Sequence, residues 1–426
     1  MKKIKGFLIL VILLGSKLGS NLVLAQSVVS PYSILGVGDM AFDGFTHNQA
    51  LGELGVGYSS LWHINHTNPA WQYRNSFSTF QVALEGENRR FASLQQAESS
   101  GTGGLRNLAI SLPIIRGKFT TSFGILPFST VNYNISTNQL IEGTEINSST
   151  NLSGEGGLTQ AFFSTGIKVG KNFGIGTRVK YVFGRIQSSN GVIVNDPTVV
   201  SDFQTRFVQS TNYNDVNILA GISYRKIISD SRIINLGFTH ELAAGLDGER
   251  EERIERVAVN GFVVEADTLT ISRNVLFEIP GSSAFGFWYE KANKYGVGID
   301  VSVRNWSDNG GFENSNDQLR NAIKVSVGGE YIPTYNDVNS YFKRATYRAG
   351  LSYEQLPYQI NERNLSDFGI NFGTSLPVGR YSSLDLAFKV GQRGTTDNDL
   401  IRETYFKFVF GATINDNQWF IRRKYD

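Results

Sequence analysis

The chain has 426 residues, with 45 glycines, nine prolines and no cysteine, and its formal charge at pH 7 is +2. The absence of cysteine excludes disulfides, thiolate metal sites and a lipid-modified N-terminal cysteine. Many glycines and aromatics with few prolines are typical of a chain of many strands and turns. A chain of this length accommodates either two soluble domains or one large barrel.

The first 25 residues have the three parts of a secretory signal peptide. Three lysines precede an apolar run over residues 7–14, and compact residues lead to a cleavage site between Ala25 and Gln26. A membrane-spanning helix needs about 20 apolar residues, so cleavage is favoured over a permanent anchor. Cleavage removes four of the 40 basic residues and no acidic one, which leaves 36 against 38. The resulting charge of −2 gives no electrostatic case for nucleic acid.

Strict alternation of apolar and polar residues recurs throughout the rest of the chain. In 294–304, tyrosine, valine and isoleucine occupy one face, while glycine, serine and charged residues occupy the other. Segments 173–183 and 384–390 repeat the pattern. A period of two indicates strands.

Fourteen such runs predict fourteen strands. A weaker candidate at 131–140 is not counted, because single-chain bacterial barrels have an even number of strands. The runs are 76–85, 105–113, 117–127, 160–169, 173–183, 213–225, 231–241, 283–290, 294–304, 321–332, 344–354, 366–376, 384–390 and 402–413.

These strands favour a membrane barrel over a pair of soluble β-sandwiches, which alternate in the same way. The apolar faces often end in aromatic residues, as an interfacial girdle requires, and the polar faces suit a crowded, wet lumen. Lipid leaves no water for open sheet edges, so spanning strands must form a closed barrel. We therefore predict an all-β, antiparallel transmembrane barrel of about 14 strands, residues 76–426, in the bacterial outer membrane.

Long segments between strands are predicted to be outer loops, at 185–212, 242–282 and 305–320. Within 242–282, residues 249–256 place glutamate and arginine at i,i+4, a spacing that supports an exposed helical turn. This loop is either a lid or partner-binding element, or simply a solvated surface.

Residues 26–75, here called the hatch segment, do not alternate. They are too apolar for a disordered tail and too rich in glycine for a long helix. A barrel of about 14 strands leaves room in its lumen for such a segment. The sequence therefore predicts a small N-terminal lumenal hatch.

The glycine-rich lead followed by Asn68, Pro69 and Ala70 resembles the hatch of the FadL family of outer-membrane transporters for hydrophobic compounds. Further pieces of the chain are similar to the same family: Gly154–Gly157, Ile279–Pro280, Trp306 and Tyr347–Tyr353. The C-terminal pieces Gly391–Gly394 and Trp419–Tyr425 resemble a branch of that family from the lineage that also carries type IX secretion. The resemblance implies a 14-stranded barrel with a lumenal hatch and, in transporters, a lateral opening for hydrophobic cargo.

Charged residues on the polar faces of three strands are candidates to line the lumen and hold the hatch by ion pairs. They are Arg178, Lys180, Asp300, Arg304 and Lys389.

No catalytic, metal or cofactor site is predicted. The chain lacks a Gly-x-Ser-x-Gly elbow and a P-loop, and His240 is the only histidine on a predicted strand. His63 and His66 are too few for a metal site, which needs three or four ligands. We expect outer-membrane lipid as a partner, and we do not expect an enzyme.

Two functions remain open at this stage. The first is passage of small hydrophobic molecules through a barrel closed by its hatch. The second, which the branch of the family and the long loops suggest, is a non-transporting subunit of an outer-membrane complex for protein secretion or assembly. The partners would be a hydrophobic ligand in the first case and other complex subunits in the second.

Overall fold

A computed structural model of the chain describes residues 30–94, 97–141, 143–144, 146–195, 203–258, 260–308, 319–360 and 363–417. The predicted signal peptide, with its cleavage site at Ala25 and Gln26, lies outside the described residues. So does the C-terminal piece over 419–425 that contributed to the family resemblance.

Strands dominate the described residues, which contain seventeen of them. They are β1 Asp39–Met40, β2 Ser78–Ala92, β3 Ala97–Ile115, β4 Phe119–Leu140, β5 Asn147–Val169, β6 Phe173–Asn195, β7 Phe203–Ser229, β8 Arg232–Glu241, β9 Ala244–Ala258, β10 Val263–Ile279, β11 Ser282–Lys291, β12 Tyr295–Arg304, β13 Ala322–Tyr331, β14 Thr346–Ile360, β15 Arg363–Val378, β16 Ser382–Arg393 and β17 Arg402–Asp416.

The helices are short. Helix α1 covers Thr46–Ala50, and short 3-10 helices cover Pro31–Ile34, Pro69–Arg74, Trp306–Asp308, Phe342–Arg344 and Asp397–Asp399. Within the described residues, every helix falls short of the length and apolarity needed to cross a bilayer.

Fourteen of the described strands close into an antiparallel barrel, as predicted. Strands β2 to β8 pair in chain order, β8 pairs with β11, and β11 to β17 pair in chain order. The barrel closes between β17 and β2, where Asp416 lies opposite Ser78 and Arg402 lies opposite Ala92. Each of the fourteen predicted runs falls in a different strand of this barrel, so the strand count is confirmed.

The two faces of each strand follow the predicted alternation. In β12, the outward-facing side chains of Tyr295, Val297 and Ile299 are 40%, 53% and 40% exposed. The next residue, Asp300, faces the lumen and is buried. The same apolar exterior appears on β6, where Phe173 and Ile175 are about half exposed. Apolar side chains pointing outward with polar ones inward are the pattern of a barrel surrounded by lipid.

The strands are longer than predicted, so the prediction of a loop over 185–212 is wrong. Most of that segment belongs to β6 and β7, and the uncounted candidate 131–140 is the far end of β4 and not a separate strand. In these parts, runs of consecutive polar residues at 136–139, 187–190 and 209–212 interrupt the alternation. Alternation therefore stops while the backbone pairing continues, as between β5 and β6 over 23 paired positions.

The prediction of a loop over 242–282 is also wrong. This segment forms a β-hairpin of β9 and β10 beyond the barrel wall. Residues 203–214 of β7 leave β8 and pair with β9, which in turn pairs with β10. The expected helical turn over 249–256 is part of β9. Its i,i+4 pairs contribute only about 0.2–0.5 kcal/mol each in a helix, whereas β9 has a paired strand on both sides.

Charged residues of this segment form pairs within β9 and between β9 and β7, in place of the i,i+4 pairs of a helix. Glu255 of β9 accepts hydrogen bonds from Arg206 Nε of β7, at 3.0 Å, and from Arg253 Nε, at 2.7 Å. Burial raises the pKa of Glu255, but these hydrogen bonds outweigh burial and hold that pKa below its usual value. In the last predicted loop, 305–320, a 3-10 turn covers Trp306–Asp308 and residues 309–318 lie outside the described residues.

The hatch segment, described from residue 30, lies inside the barrel and is mostly buried. Its backbone approaches the wall where the wall has glycine. A Cβ on Gly286 of β11 would fall on the Gly57 amide nitrogen and on the Asp300 carboxylate, and a Cβ on Gly237 of β8 would fall on the Val56 carbonyl oxygen. Wall positions without a side chain therefore determine where the hatch backbone can lie.

We predict that Gly286→Val displaces the hatch from the wall. The added side chain meets backbone rather than a flexible side chain, and overpacking of this kind costs about 1–3 kcal/mol. The temperature at which the barrel loses its compact migration on gels should fall, and protease should cleave within residues 30–75. Gly104→Val is the matched control, because a Cβ at Gly104 has no atom within 4 Å. Equal melting and cleavage of the two variants would contradict the prediction.

Candidate functional site

The segment Asn68-Pro69-Ala70 forms the turn that starts the last 3-10 helix of the hatch. The Asn68 side chain accepts a hydrogen bond from Ala70 N, at 3.0 Å, and donates to Val56 O and to Ile222 O of β7. Pro69 stands at the start of the helix, where a missing N–H costs nothing. Asn68 thus caps the helix, joins two parts of the hatch and attaches both to the wall.

Asp300 binds the glycine-rich part of the hatch. Its carboxylate accepts hydrogen bonds from three consecutive backbone N–H groups, those of Gly55 and Val56 at 2.7 Å each and that of Gly57 at 3.2 Å. A carboxylate acceptor makes such bonds stronger than neutral ones. One wall residue therefore satisfies a whole turn of buried backbone.

Arg178 and Lys180 of β6 face a second part of the hatch. Arg178 is 1% exposed, donates to His66 O at 2.9 Å and forms an ion pair with Asp43. Lys180 lies 3.9 Å from the same Asp43 carboxylate and pairs more closely with Glu241 of β8. Asp43 in turn accepts from His66 Nε2 at 2.8 Å.

Lys389 of β16 contacts the hatch at Glu53, with Nζ 2.8 Å from Oε1. Lys324 of β13 pairs with the other Glu53 oxygen, so one hatch carboxylate joins two strands of the wall. Arg304 is different, because it pairs with Glu241 at 2.8 Å and donates to Pro280 O within the wall. Four of the five candidate lumen residues are thus within ion-pair or hydrogen-bond reach of the hatch.

Other contacts between hatch and wall were not anticipated from the sequence. Asp39 pairs with Arg393 at 2.8 Å, and Ser30 donates to Glu403, which also pairs with Arg89. His63 Nε2 lies 3.1 Å from Asp385 Oδ1. All of these wall residues lie on inward strand faces, so the alternation marks them as lumenal but does not say which hatch residue each one meets.

A gap separates β3 from β4 over the outer part of the wall. The two strands pair only from Leu108 opposite Ile125 to Ile115 opposite Phe119. Beyond that point, the described residues of β3 pair with β2 and those of β4 pair with β5. A register shift follows Pro127, which has no N–H to donate, and proline in a sheet is confined to edges and bulges.

The hatch lies behind this gap and pairs with the freed edge of β4. Asp39 and Met40, which form β1, lie opposite Thr130 and Ser129. Ala41 N donates to Phe128 O at 2.9 Å, and Ser30 N donates to Asn132 O at 2.7 Å. The edge of β4 therefore has backbone partners from within the lumen.

A cavity of about 530 Å³ lies between the hatch and the outer end of the barrel and reaches the gap. All five candidate lumen residues line it, in a set of nine acidic and nine basic side chains that leaves it without net charge. Near the gap its lining includes apolar side chains, those of Met40, Phe42, Leu105 and Phe128. Most residues that line the cavity are thus polar, with a few apolar side chains beside the gap.

We predict that Asp300→Ala loosens the hatch. Hydrogen bonds to a charged group contribute about 1.5–3 kcal/mol, and the change leaves three buried N–H groups without their acceptor. Conductance of the purified protein in planar bilayers should rise, with more frequent large openings. The control is Asp230→Ala, at an exposed aspartate in the turn between β7 and β8. Unchanged conductance in Asp300→Ala would show that this contact does not hold the hatch.

Solved structures with a similar fold include toluene transporters and a FadL homologue. The Pseudomonas putida toluene transporter TodX shares 15% identity over 90% of this chain and 100% of its own, with a TM-score of 0.58. A FadL homologue from Pseudomonas aeruginosa shares 13% identity over 88% and 98%, with a TM-score of 0.57. The Ralstonia pickettii toluene transporter TbuX shares 14% identity over 88% and 99%, with a TM-score of 0.56. The fold expected from the FadL resemblance is therefore confirmed.

No curated protein matches the chain at a significant level. A family model described as BamG, however, matches residues 2–426, which is almost the whole chain. The protein is an outer-membrane β-barrel that belongs to the BamG family.

Proposed function

We propose that this barrel passes small hydrophobic molecules across the outer membrane and releases them sideways through the gap between β3 and β4. The observation that carries the proposal is the continuity between the outer cavity and that gap. A hydrophobic molecule that leaves through the wall enters lipid directly and avoids the aqueous periplasm. The similarly folded proteins that are named as toluene transporters support this choice of cargo.

The hatch makes the sideways route easier than an axial one. Below the cavity it occupies the lumen with buried side chains such as Trp71, Leu54 and Ile64. Its charged contacts with Asp300, Arg178 and Lys389 are buried, and breaking one partner of a buried pair costs about 3–5 kcal/mol. At the gap, β3 and β4 are already unpaired, so no backbone hydrogen bonds between these two strands have to be broken.

We predict that Gly104→Trp slows passage several-fold. Gly104 lies on β3 and lines the cavity beside the gap, and a Cβ there meets no atom, so an indole can occupy the exit without displacing the strand. Uptake of the hydrophobic dye N-phenyl-1-naphthylamine would be followed in cells with an intact outer membrane that express each variant.

The matched control is Gly101→Trp, on the same strand but outside the cavity lining. It should leave uptake unchanged. Equal uptake by the two variants and the unmodified protein, at equal amounts in the membrane, would rule out exit through the gap.

A second candidate function is that of a non-transporting subunit in an outer-membrane complex for protein secretion or assembly. The β9–β10 hairpin favours it, because the hairpin projects from the wall and carries exposed apolar side chains. Phe262, Val264, Leu269 and Ile271 are 72%, 59%, 55% and 59% exposed. Exposed apolar clusters outside the lipid-facing belt mark contacts with other proteins.

This second function predicts stoichiometric co-purification of other outer-membrane proteins in mild detergent. The double change Leu269→Ser and Ile271→Ser should release them, since it removes apolar area from the hairpin while leaving its backbone pairing intact. The control is Leu140→Ser, at an exposed leucine at the end of β4 and outside the hairpin, and it should leave co-purification unchanged. Isolation of the unmodified protein alone, with a hydrophobic ligand in its cavity, would exclude the subunit function and favour transport.

A further inference from the structure

One end of the barrel carries a ring of exposed basic side chains, here called the basic rim. Its members lie at the end of the barrel where β2 begins and β17 ends, in short turns, in adjoining strand ends and, for Lys343, in the longer connection between β13 and β14. They are Arg116, Lys118, Lys171, Lys226, Arg232, Lys291, Lys343 and Arg380. Short turns are a feature of the periplasmic side of an outer-membrane barrel, whose outer side has longer loops.

Acidic side chains do not balance this rim. Among the described residues at this end, Asp230 and Asp416 are the exposed acids, and the half-buried Asp337 pairs with Lys343 at 3.4 Å. Lys118, Lys171 and Lys291 have no carboxylate within 4.0 Å in the described part of the chain. The charge is therefore available to a partner.

Backbone hydrogen bonds between successive turns order the rim around the barrel. Lys168 N donates to Lys118 O at 2.7 Å, and Arg225 N donates to Asn172 O at 2.8 Å. Ala292 N donates to Ser231 O at 2.7 Å, which continues the series to the next turn. The basic groups are thus spread over the circumference at one level instead of clustering on one side.

Tyrosine side chains lie just inside the rim on the lipid-facing surface. Tyr295, Tyr331 and Tyr347 are each 40–47% exposed and line a shallow groove of about 260 Å³ over β12, β13 and β14. At the edge of this groove, Lys294 Nζ lies 5.4 Å from the centroid of the Tyr331 ring. Tyrosine at this depth marks the boundary between acyl chains and headgroups.

We propose that the basic rim binds the headgroups of anionic phospholipids in the periplasmic leaflet of the outer membrane. Phosphate groups of that leaflet surround the barrel at the level of the rim, next to the tyrosines. A lipid annulus contacts the whole circumference, as the rim does, whereas a protein partner would contact one sector. Basic residues near an anionic lipid surface attract it, and the attraction extends over about a Debye length.

The test uses the full-length protein in a non-ionic detergent, titrated with dioctanoyl phosphatidylglycerol or with dioctanoyl phosphatidylcholine. Binding is read from the rise in the thermal denaturation midpoint. We expect tighter binding of phosphatidylglycerol, and weaker binding in high salt. The triple variant K118Q/K171Q/K291Q should bind phosphatidylglycerol at least ten-fold more weakly, since each basic side chain contributes about five-fold near an anionic surface.

The control variant R90Q/R363Q/R402Q removes three exposed charges at the opposite end of the barrel and should bind as the unmodified protein does. Equal affinity for the two lipids, or equal losses in the two triple variants, would overturn the proposal. Binding of polyglutamate to the rim without a preference for phosphatidylglycerol would assign the rim to an acidic protein instead, and would also overturn it.

Discussion

The backbone of the hatch segment is removed from water inside the barrel, and its N–H and C=O groups must find partners there. An unpaired buried polar group costs free energy comparable to a lost hydrogen bond. The wall supplies partners as side chains, such as Asp300 for residues 55–57 and Gln81 Oε1 for Ile64 N at 2.9 Å. At Gly237 and Gly286, the absence of a wall side chain leaves room for the hatch backbone. The path of the hatch backbone and the residues on the inward strand faces therefore depend on each other.

The buried charges add specificity to this constraint. A buried ion pair gains little net stability, because desolvation of both groups offsets their attraction. A misplaced hatch would leave Glu53, Asp43 and Asp385 without their basic or histidine partners, at a much higher cost. The lumenal charges thus determine one register for a segment that has little regular structure of its own, even though their summed charge in the cavity is zero.

Alternation made the barrel predictable, because lipid on one side and a polar lumen on the other give every spanning strand a period of two. It failed in the far parts of β5, β6, β7 and in the hairpin, where runs of consecutive polar residues interrupt the pattern. It could not predict the gap either. Alternation reports what the two faces of a strand contact, and not whether β3 and β4 are hydrogen-bonded to each other along their edges. Pro127, within a predicted strand, was the one local signal of an open edge. The alternation predicted which charged residues of the wall face the lumen, but it did not predict which hatch residue each of them contacts.

The gap and the hatch depend on each other. An open sheet edge in lipid would leave backbone groups without partners, which is why spanning sheets close. Here β4 escapes that cost because Ser30, β1 and Ala41 bond to its free edge from the lumen. Asp39 of β1 is itself held by Arg393 on the far wall. A gap in the barrel wall is therefore compatible with the membrane only while the hatch is in place, so movement of the hatch and the width of the exit are coupled.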